Sequence, residues 1–371
     1  MSRKLASVQK IKAIKPIEGA DKIEIVQVLN WDCVAKKGEY QVGDTVIYFE
    51  IDSLLPDIPM LEWLKGSSWS QKLNKYKIST HKFRGQISQG LVMPIKDLEE
   101  LDRQIHNREE CVPIAYIEGT DLTEILNIEK YEPPVSNGSL GDLIRHEWYI
   151  PKTDEERIQV CAADVLPTYM NSEQGDWYSS IKLDGTSCTA GLFDDAFLIG
   201  GRNQFYKDEN MYTTTVNKYF KNGAKEKFEN YKAINGVYVA FQGELCGPGI
   251  QGNKLGLKEK EWFIFNAFVS KTGKNGSYVK CDLLYMLKLC EEFGLKHVPL
   301  IGAEDKFKFD PEETVDNTVE KLLKYVDDIK YRKYFTDAAP NQIAEGVVFR
   351  TEAMNYSFKV VSNKFLLKGG E

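Results

Sequence analysis

The sequence predicts an α+β fold in two parts, an N-terminal β-barrel followed by a larger domain of antiparallel sheets flanked by helices. Three observations predict it. The first hundred or so residues alternate apolar and polar positions in short runs broken by turn residues. A cluster of Pro, Asn, Gly and Ser then interrupts the pattern in "YEPPVSNGSLGD", and beyond it strand-like runs interleave with two amphipathic helical patterns. At 371 residues, 42% apolar and 12% aromatic, the chain can build a core for each part.

In chain order, "KIEIVQVLNWDCVAKKGEY" alternates and runs into a turn at Val42-Gly43-Asp44, after which Thr45 to Ile51 is rich in β-formers. More strand material follows in "ISTHKFRGQISQGLVMPI". About five short strands in roughly a hundred residues suit a small barrel of the OB type over 1–108, a fold that handles oligonucleotides along one face. Residues 109–144 read as a linker and 145–371 as the second domain. There, Asp310-Pro311-Glu312-Glu313 combines an N-cap residue, a proline at the first helical position and a capping-box glutamate. A helix is predicted from that point, with Val315, Val319, Leu322, Leu323 and Val326 on one face. A second helix is predicted from Asp282 through Leu283, Leu284, Leu287 and Cys290, stopped by Gly294. Between and around them, "VYVAFQGEL", "EWFIFNAFV", "EGVVFR" and "YSFKVVS" read as strands.

Bulk properties narrow the function classes. No apolar run is long enough for a membrane span and the start "MSRKLASVQK" lacks a secretory core, so an intracellular protein is expected. Seven cysteines are scattered, without a Cys-x-x-Cys pair, which suggests neither a disulfide framework nor a zinc ribbon. Four histidines, none near another, offer little to a histidine-rich metal site. A net charge of −7 argues against a protein that coats nucleic acid with its whole surface, while 48 Lys and Arg leave room for a local basic groove.

The chemistry-bearing residues sit where strands ought to be core. Glu244 follows Val239, Ala240, Phe241 and Gln242; Glu345 opens "GVVF"; Lys359 lies between Phe358 and Val360. Each taken singly is an outward-facing strand residue as readily as a functional one. Likewise Lys182 in "IKLDGTS", read alone, is a solvated lysine beside an Asp-Gly turn. Together they form a nucleophile, two carboxylates and a second cation at strand ends or edges, which is what transfer of a nucleotidyl group needs. Attack on an α-phosphate demands a neutral amine, and partial burial with a carboxylate-held divalent cation favours that form. Glu345 leads for the metal role and Glu244 shares it or binds ribose hydroxyls; Lys359 suits the charge on phosphorus. An adenine slot is available between Phe265 or Phe263 and Val347 or Val348.

Six segments then occur in a meaningful order: "KLDG" at 182–185, "GGRN" at 200–203, "FQGELCGPGIQGN" at 241–253, "WFIFNAF" at 262–268, "EGVVFR" at 345–350 and "SFKVVSNKFLLK" at 357–368. This series resembles the nucleotidyltransferase motifs of the covalent ligase superfamily, in the form seen in ATP-dependent RNA ligases. "IPKTDEERIQ" at 150–159 is similar to the segment ahead of the nucleophile in that family. "IEGADKIE", "KKGEYQVGDTVIYFEIDSLLP" and "FRGQISQGLVMP" are similar to the N-terminal OB module of the Naegleria-type, nick-sealing RNA ligases. The resemblance implies a ligase-type nucleotidyltransferase domain in which Lys182 carries AMP, Arg202 touches substrate or AMP phosphate and Glu244 contacts ribose or metal waters. It further implies that Phe265 stacks on adenine, Glu345 holds the metal with Glu244 and Asp184 close by, and Lys359 meets the α-phosphate. ATP is the implied co-substrate and magnesium or manganese the implied metal. The implied partner is RNA with 3′-hydroxyl and 5′-phosphate ends, in a nicked duplex, joined by a monomer.

Two departures from the family stand out. Ile181 replaces a glutamate that many relatives place before the lysine, so adenine selection is expected from other groups such as backbone. Val361 replaces the second lysine of a Lys-x-Lys pair, for which Lys364 is a candidate substitute. Arg157 is a further candidate phosphate contact. DNA ligases and capping enzymes carry an OB domain after the last motif, and the chain ends soon after Lys359, which sets the expectation against both. A competing reading is an inactive OB-containing RNA-binding factor with Trp31, Tyr48 and Phe83 as base-stacking groups.

Overall fold

The computed structural model describes residues 3–107, 116–131, 149–151, 153–172, 177–202, 204–206, 208–220, 223–353 and 355–368, and every count below is of those residues. The chain forms two compact units, Met1–Val135 and Ser136–Glu371. Its helices include none long and apolar enough to cross a membrane.

The first unit is built on strands β1 (Ala6–Pro16), β2 (Ile23–Val28), β3 (Trp31–Lys36) and β4 (Thr45–Phe49), with β5 (Ser53–Leu55), helix α1 (Lys65–Ser68), β6 (Trp69–Ser70) and β7 (Lys75–Lys77) following. After these come the hairpin β8 (Thr80–Phe83) and β9 (Gln86–Gln89), then β10 (Leu91–Pro94), helix α2 (Leu98–His106) and β11 (Glu129–Lys130). The main sheet runs β10-β4-β1-β2-β3, all antiparallel, as a half-barrel. Its long strand β1 serves two neighbours: residues 6–10 pair with β4, and Ile11 and residues 13–16 with β2, around a bulge at Lys12 within that second ladder. The extra residue bends the strand and lets the sheet coil. Val8, Ile47, Phe49, Leu55, Tyr76, Met93 and Leu101 fill the core beneath it.

Residues 116–131, expected in the linker, pack into this unit instead. Leu122, Leu126 and Ile128 join its core, Val8 N donates to Thr120 O at 2.9 Å, and β11 pairs with β5. The apolar spacing of those three residues is what burial rewards. The other residues of the expected linker lie outside those described.

In the second unit, α3 (Ile158–Asn171) leads to β12 (Trp177–Lys182), β13 (Thr186–Phe193), β14 (Ala196–Gly200) and β15 (Phe205–Tyr206). Helices α4 (Met211–Asn217) and α5 (Ala224–Asn235) precede β16 (Tyr238–Cys246), β17 (Glu261–Ser270) and β18 (Val279–Lys280). The chain ends with α6 (Leu283–Phe293), β19 (Lys296–His297), α7 (Val315–Asp327), β20 (Gly346–Thr351), β21 (Ser357–Val361) and α8 (Asn363–Leu366). Two sheets result: a three-stranded one in the order β12-β20-β21, and a seven-stranded one, β15-β14-β13-β16-β17-β18 with β19 added on β17. Helices α3 and α7 cover one face of the small sheet through Leu166, Tyr169, Leu322 and Val326, while α4, α5 and α6 cover one face of the large sheet through Val216, Phe228, Met286 and Phe293. Each such side chain contributes roughly 1.5–3 kcal/mol of burial. The large sheet's other face carries a smaller apolar cluster, Ile150, Phe193, Phe205, Ala240 and Phe268, beside its polar groups.

The predicted helices form, with one shifted start. Asp282 caps α6 by accepting from Tyr285 N at 2.7 Å, and Gly294 ends it at φ 67°, while Leu284 points outward and is exposed. Helix α7 begins at Val315, not at Pro311. Thr314 is its cap, accepting from Asn317 N, whereas Asp310 accepts from Glu312 N at 3.0 Å in a separate turn and Glu313 turns forward to Asn317. Two cap-competent residues lie four apart, and the one nearer the apolar stripe prevails.

Candidate active site

Strand alternation decides which residues meet. Register places Lys182 opposite Gly346, Ile181 opposite Val347, and Val348 between Ser180 and Lys359. Because successive side chains point to opposite faces, Ile181, Val347, Phe349, Phe358 and Val360 all enter the core with α3 and α7. Lys182, Val348, Arg350 and Lys359 share the opposite face, and Arg350 Nη1 donates to Phe265 O of β17 at 2.8 Å, so this face looks onto the large sheet. Two expected nucleotide contacts are therefore corrected. Val347 is 0% exposed and belongs to the core, leaving the half-buried Val348 as the valine on the lysine face. The Ile181 side chain is also core, and its N–H is taken by Pro299 O at 2.9 Å.

At the end of β12, Lys182 Nζ donates to Glu345 Oε1 at 2.6 Å. Its Asp-Gly pair closes no hairpin, since β12 belongs to the small sheet and β13 to the large one. The turn carries the chain from one sheet to the other, and a Cβ on Gly185 would stand 2.5 Å from Leu245 O, so only glycine lets it lie this close to β16. Glycine is equally required at Gly346, where a Cβ would strike Val360 O. That leaves Glu345 at the mouth of β20, facing the lysine. Glu244 lies within the central strand β16, not at an edge: Phe241 and Leu245 enter the core under α4–α6, so Gln242 and Glu244 face the other way.

Burial favours the neutral amine at Lys182, but Glu345 and Glu244, with the hydrogen bond to Glu345, outweigh it and hold its pKa above the ordinary lysine value. Burial pushes Glu244 up to about 8; Lys182 pulls it down, and Glu345 and Asp184 push it further. Burial and Glu345 likewise raise Asp184 to about 6 against the pull of Lys254, whose Nζ lies 2.5 Å from Asp184 Oδ2. Three carboxylates thus share two ammonium groups.

The stretch 153–157 ties both sheets together. Thr153 donates to Gln242, and Asn266 Nδ2 reaches Thr153 and Gln242 at 3.0 and 2.9 Å. Asp154 holds Arg202 by two bonds, Glu155 takes Arg350 Nε and Nη2 at 2.9 and 2.8 Å, and Glu156 O accepts from Lys359 N at 2.8 Å. Arg157, buried, bridges to Lys359 through its backbone. Arg202 and Arg157 are thereby held by and within this strap. Phe265 is the extra residue of a bulge in β17, between Ile264 opposite Gly243 and Asn266 opposite Gln242. A bulge re-aims a side chain, and the half-buried Phe265 ring lies 6.0 Å from the Arg350 guanidinium.

Other expectations are revised by the partners the structure supplies. Lys364 Nζ is paired with Asp328 at 2.9 Å and does not join Lys182. Val361 is core. Glu345, Glu244 and Asp184 make no ready metal cage: no group of three or more His, Cys, Asp or Glu side chains among the described residues has metal-ligating geometry. Glu345 is engaged by Lys182 and Asp184 by Lys254. Magnesium-type ions are bound through one or two carboxylates plus substrate phosphates, and an all-oxygen donor set with surplus negative charge fits such an ion. Trp31 and Tyr48 are 0% exposed and cannot stack on bases; Phe83, at 40%, is open.

Glu244 gives a stability test. It keeps its proton in the folded protein up to about pH 8 but in the unfolded chain only to about 4.5, so between these values the folded state binds more protons. Stability from this group therefore falls as pH rises through that window. Glu244→Gln should narrow the drop in Tm between about pH 5 and about pH 8.5 by a few degrees. Parallel Tm curves for the two proteins would remove Glu244 as its source.

Sequence reading missed Tyr331, Lys254 and the Arg350–Glu155 pair. Arg350 closes a quoted motif and Lys254 follows another, a positional hint; nothing local marks Tyr331, whose hydroxyl bonds the backbone at Lys182, Asp184 and Glu345.

A half-barrel OB module and a two-sheet core that sets a lysine against a carboxylate define a covalent nucleotidyltransferase. Comparison with known families agrees: an OB-fold domain model matches residues 5–95 and an RNA ligase model residues 175–364, more than half of the chain. The chain belongs to the RNA ligase family. It is similar to solved structures of Naegleria gruberi RNA ligase. A mutant with AMP and Mn is 29% identical with TM-score 0.78 and 100% of each chain covered; the enzyme with PPi is 29% identical with TM-score 0.76 and 99% of each covered. A mutant with ATP and Mn is 28% identical with TM-score 0.77, covering 99% of this chain and 100% of that one. No curated protein matches.

Proposed function

We propose that this protein, an ATP-dependent RNA ligase, joins a 3′-hydroxyl to a 5′-phosphate end through an AMP group carried on Lys182. The supporting observation is Lys182 Nζ seated 2.6 Å from Glu345 Oε1 on a strand face shared with Lys359. First, the neutral amine attacks the α-phosphorus, the N–P bond forms and pyrophosphate leaves. Next, the RNA 5′-phosphate takes AMP and frees the lysine. The 3′-hydroxyl then displaces AMP as the phosphodiester forms. Lys359 stabilises charge on the phosphorus, and Phe265 with Val348 lines the adenine slot. Glu345 and Glu244 would hold a magnesium or manganese ion, which supplies positive charge to the phosphates and favours the neutral amine. A nicked RNA duplex is the proposed substrate and a monomer the working unit.

The test is incubation with ATP labelled on the α-phosphate, with either metal and without nucleic acid, followed by a denaturing gel and mass mapping. Label on Lys182 is expected; folded protein that takes up no label with either metal sinks the reading.

A further inference from the structure

We propose that Tyr331 is a positioning residue for the nucleophile, its hydroxyl fixing the backbone on both sides of the Lys182–Glu345 pair. The inference rests on the ligase reading above. Tyr331 is 0% exposed, at the start of a short 3-10 turn, Tyr331–Lys333. Its hydroxyl donates to Lys182 O at 3.0 Å and accepts from Asp184 N at 3.0 Å and Glu345 N at 3.2 Å. A phenol has one proton and two lone pairs, and all three are used. Burial, with Glu345 next in effect, pushes this phenol well above its usual range, so it remains a donor.

These partners are the carbonyl of the nucleophilic residue and the backbone amides of Asp184 and Glu345, two of the three carboxylate residues around it. The hydroxyl therefore measures off one side of the ion pair against the other. Its own position is firm: Tyr331 N donates to Gln342 O at 3.0 Å, Ala344 N to Ile329 O at 3.0 Å, and Lys330 bridges to Ile343, so the loop leading into Glu345 closes on itself. The ring packs edge-on against Phe335, 6.1 Å between centroids. Removing only the hydroxyl leaves ring and loop in place but strands one buried carbonyl and two N–H groups at the point where alignment matters. Misplacing a nucleophile by about 1 Å costs on the order of a hundredfold.

The two half-reactions separate positioning from general damage. Formation of enzyme-AMP uses Lys182 as the attacking group, whereas joining RNA that already carries a 5′-adenylyl group does not. Tyr331→Phe should slow enzyme-AMP formation at saturating ATP at least about tenfold more than it slows joining of the pre-adenylylated RNA, in the same preparation. Equal losses in both reactions, including those of an unfolded variant, or no loss in either, overturn the inference. Wild-type protein that forms no enzyme-AMP sinks the ligase reading and the inference together; wild type that forms it, matched by Tyr331→Phe, sinks the inference alone.

Discussion

Lys182→Ala is expected to form no enzyme-AMP with either metal, yet still to join RNA ends supplied with a 5′-adenylyl group. The lysine takes part in making and spending the covalent intermediate, and an alanine offers no electron pair to phosphorus, so enzyme-AMP should fall below about one part in 10⁴ of the native level. Lys182→Arg should fail as completely, because a guanidinium beside Glu345 keeps its proton at any workable pH. The final joining step attacks the RNA phosphorus with the 3′-hydroxyl and leaves the lysine aside. It should therefore persist wherever Glu345, just ahead of β20, and Lys359, on β21, keep their places. Enzyme-AMP from the alanine variant, measured by label and mass, would move the nucleophile elsewhere. Loss of joining with pre-adenylylated RNA in a folded variant would show that the ammonium also organises Glu345, Glu244 and Asp184.

What the sequence disclosed and what it hid divide along the reach of the interactions. Glu244, Glu345 and Lys359 were legible because each breaks a local rule, a charge in or beside an apolar strand run, and Lys182 through its company with them and the ordered motif series; the structure places Lys182, Glu244 and Glu345 in one electrostatic cluster, with Lys359 on the small-sheet face that carries Lys182. The choice of Val348 over Val347 needs the pairing register, which a single strand does not contain. Glu155 lies in the quoted segment 150–159 and Lys254 just after the quoted motif 241–253, yet their roles exist only through Arg350 and Asp184, which lie far from them in the chain. Tyr331 is hidden further, since its partners are backbone atoms and a hydroxyl meeting a peptide leaves no trace in residue type. The helix start moved from Pro311 to Val315 because capping residues compete locally. Residues 116–131 joined the first unit because a few buried leucines and isoleucines suffice to dock an irregular segment.

Glu345→Gln separates two roles that the resting geometry combines. The carboxylate is the largest influence holding the Lys182 ammonium against burial, so its loss should let the amine shed its proton more easily. Were that its whole function, the glutamine variant would form enzyme-AMP faster than wild type at low pH. The expected result is the reverse: a loss of about 10²–10³-fold in enzyme-AMP formation and a comparable loss in joining of pre-adenylylated RNA. The reason lies in the charge balance. Phosphate oxygens brought toward this cluster meet Asp184 and Glu244, whose carboxyls burial first and neighbouring carboxylates next hold above their usual range, and a cation must offset both charges. Glu345, in contact with Lys182 and at the mouth of the strand paired with that of Lys359, is the oxygen donor best placed to hold it. The two variants then differ in kind: Lys182→Ala spares the last step and Glu345→Gln does not. A glutamine variant that keeps full joining of pre-adenylylated RNA would confine Glu345 to its contact with the lysine and leave Glu244 as the residue to test for the metal.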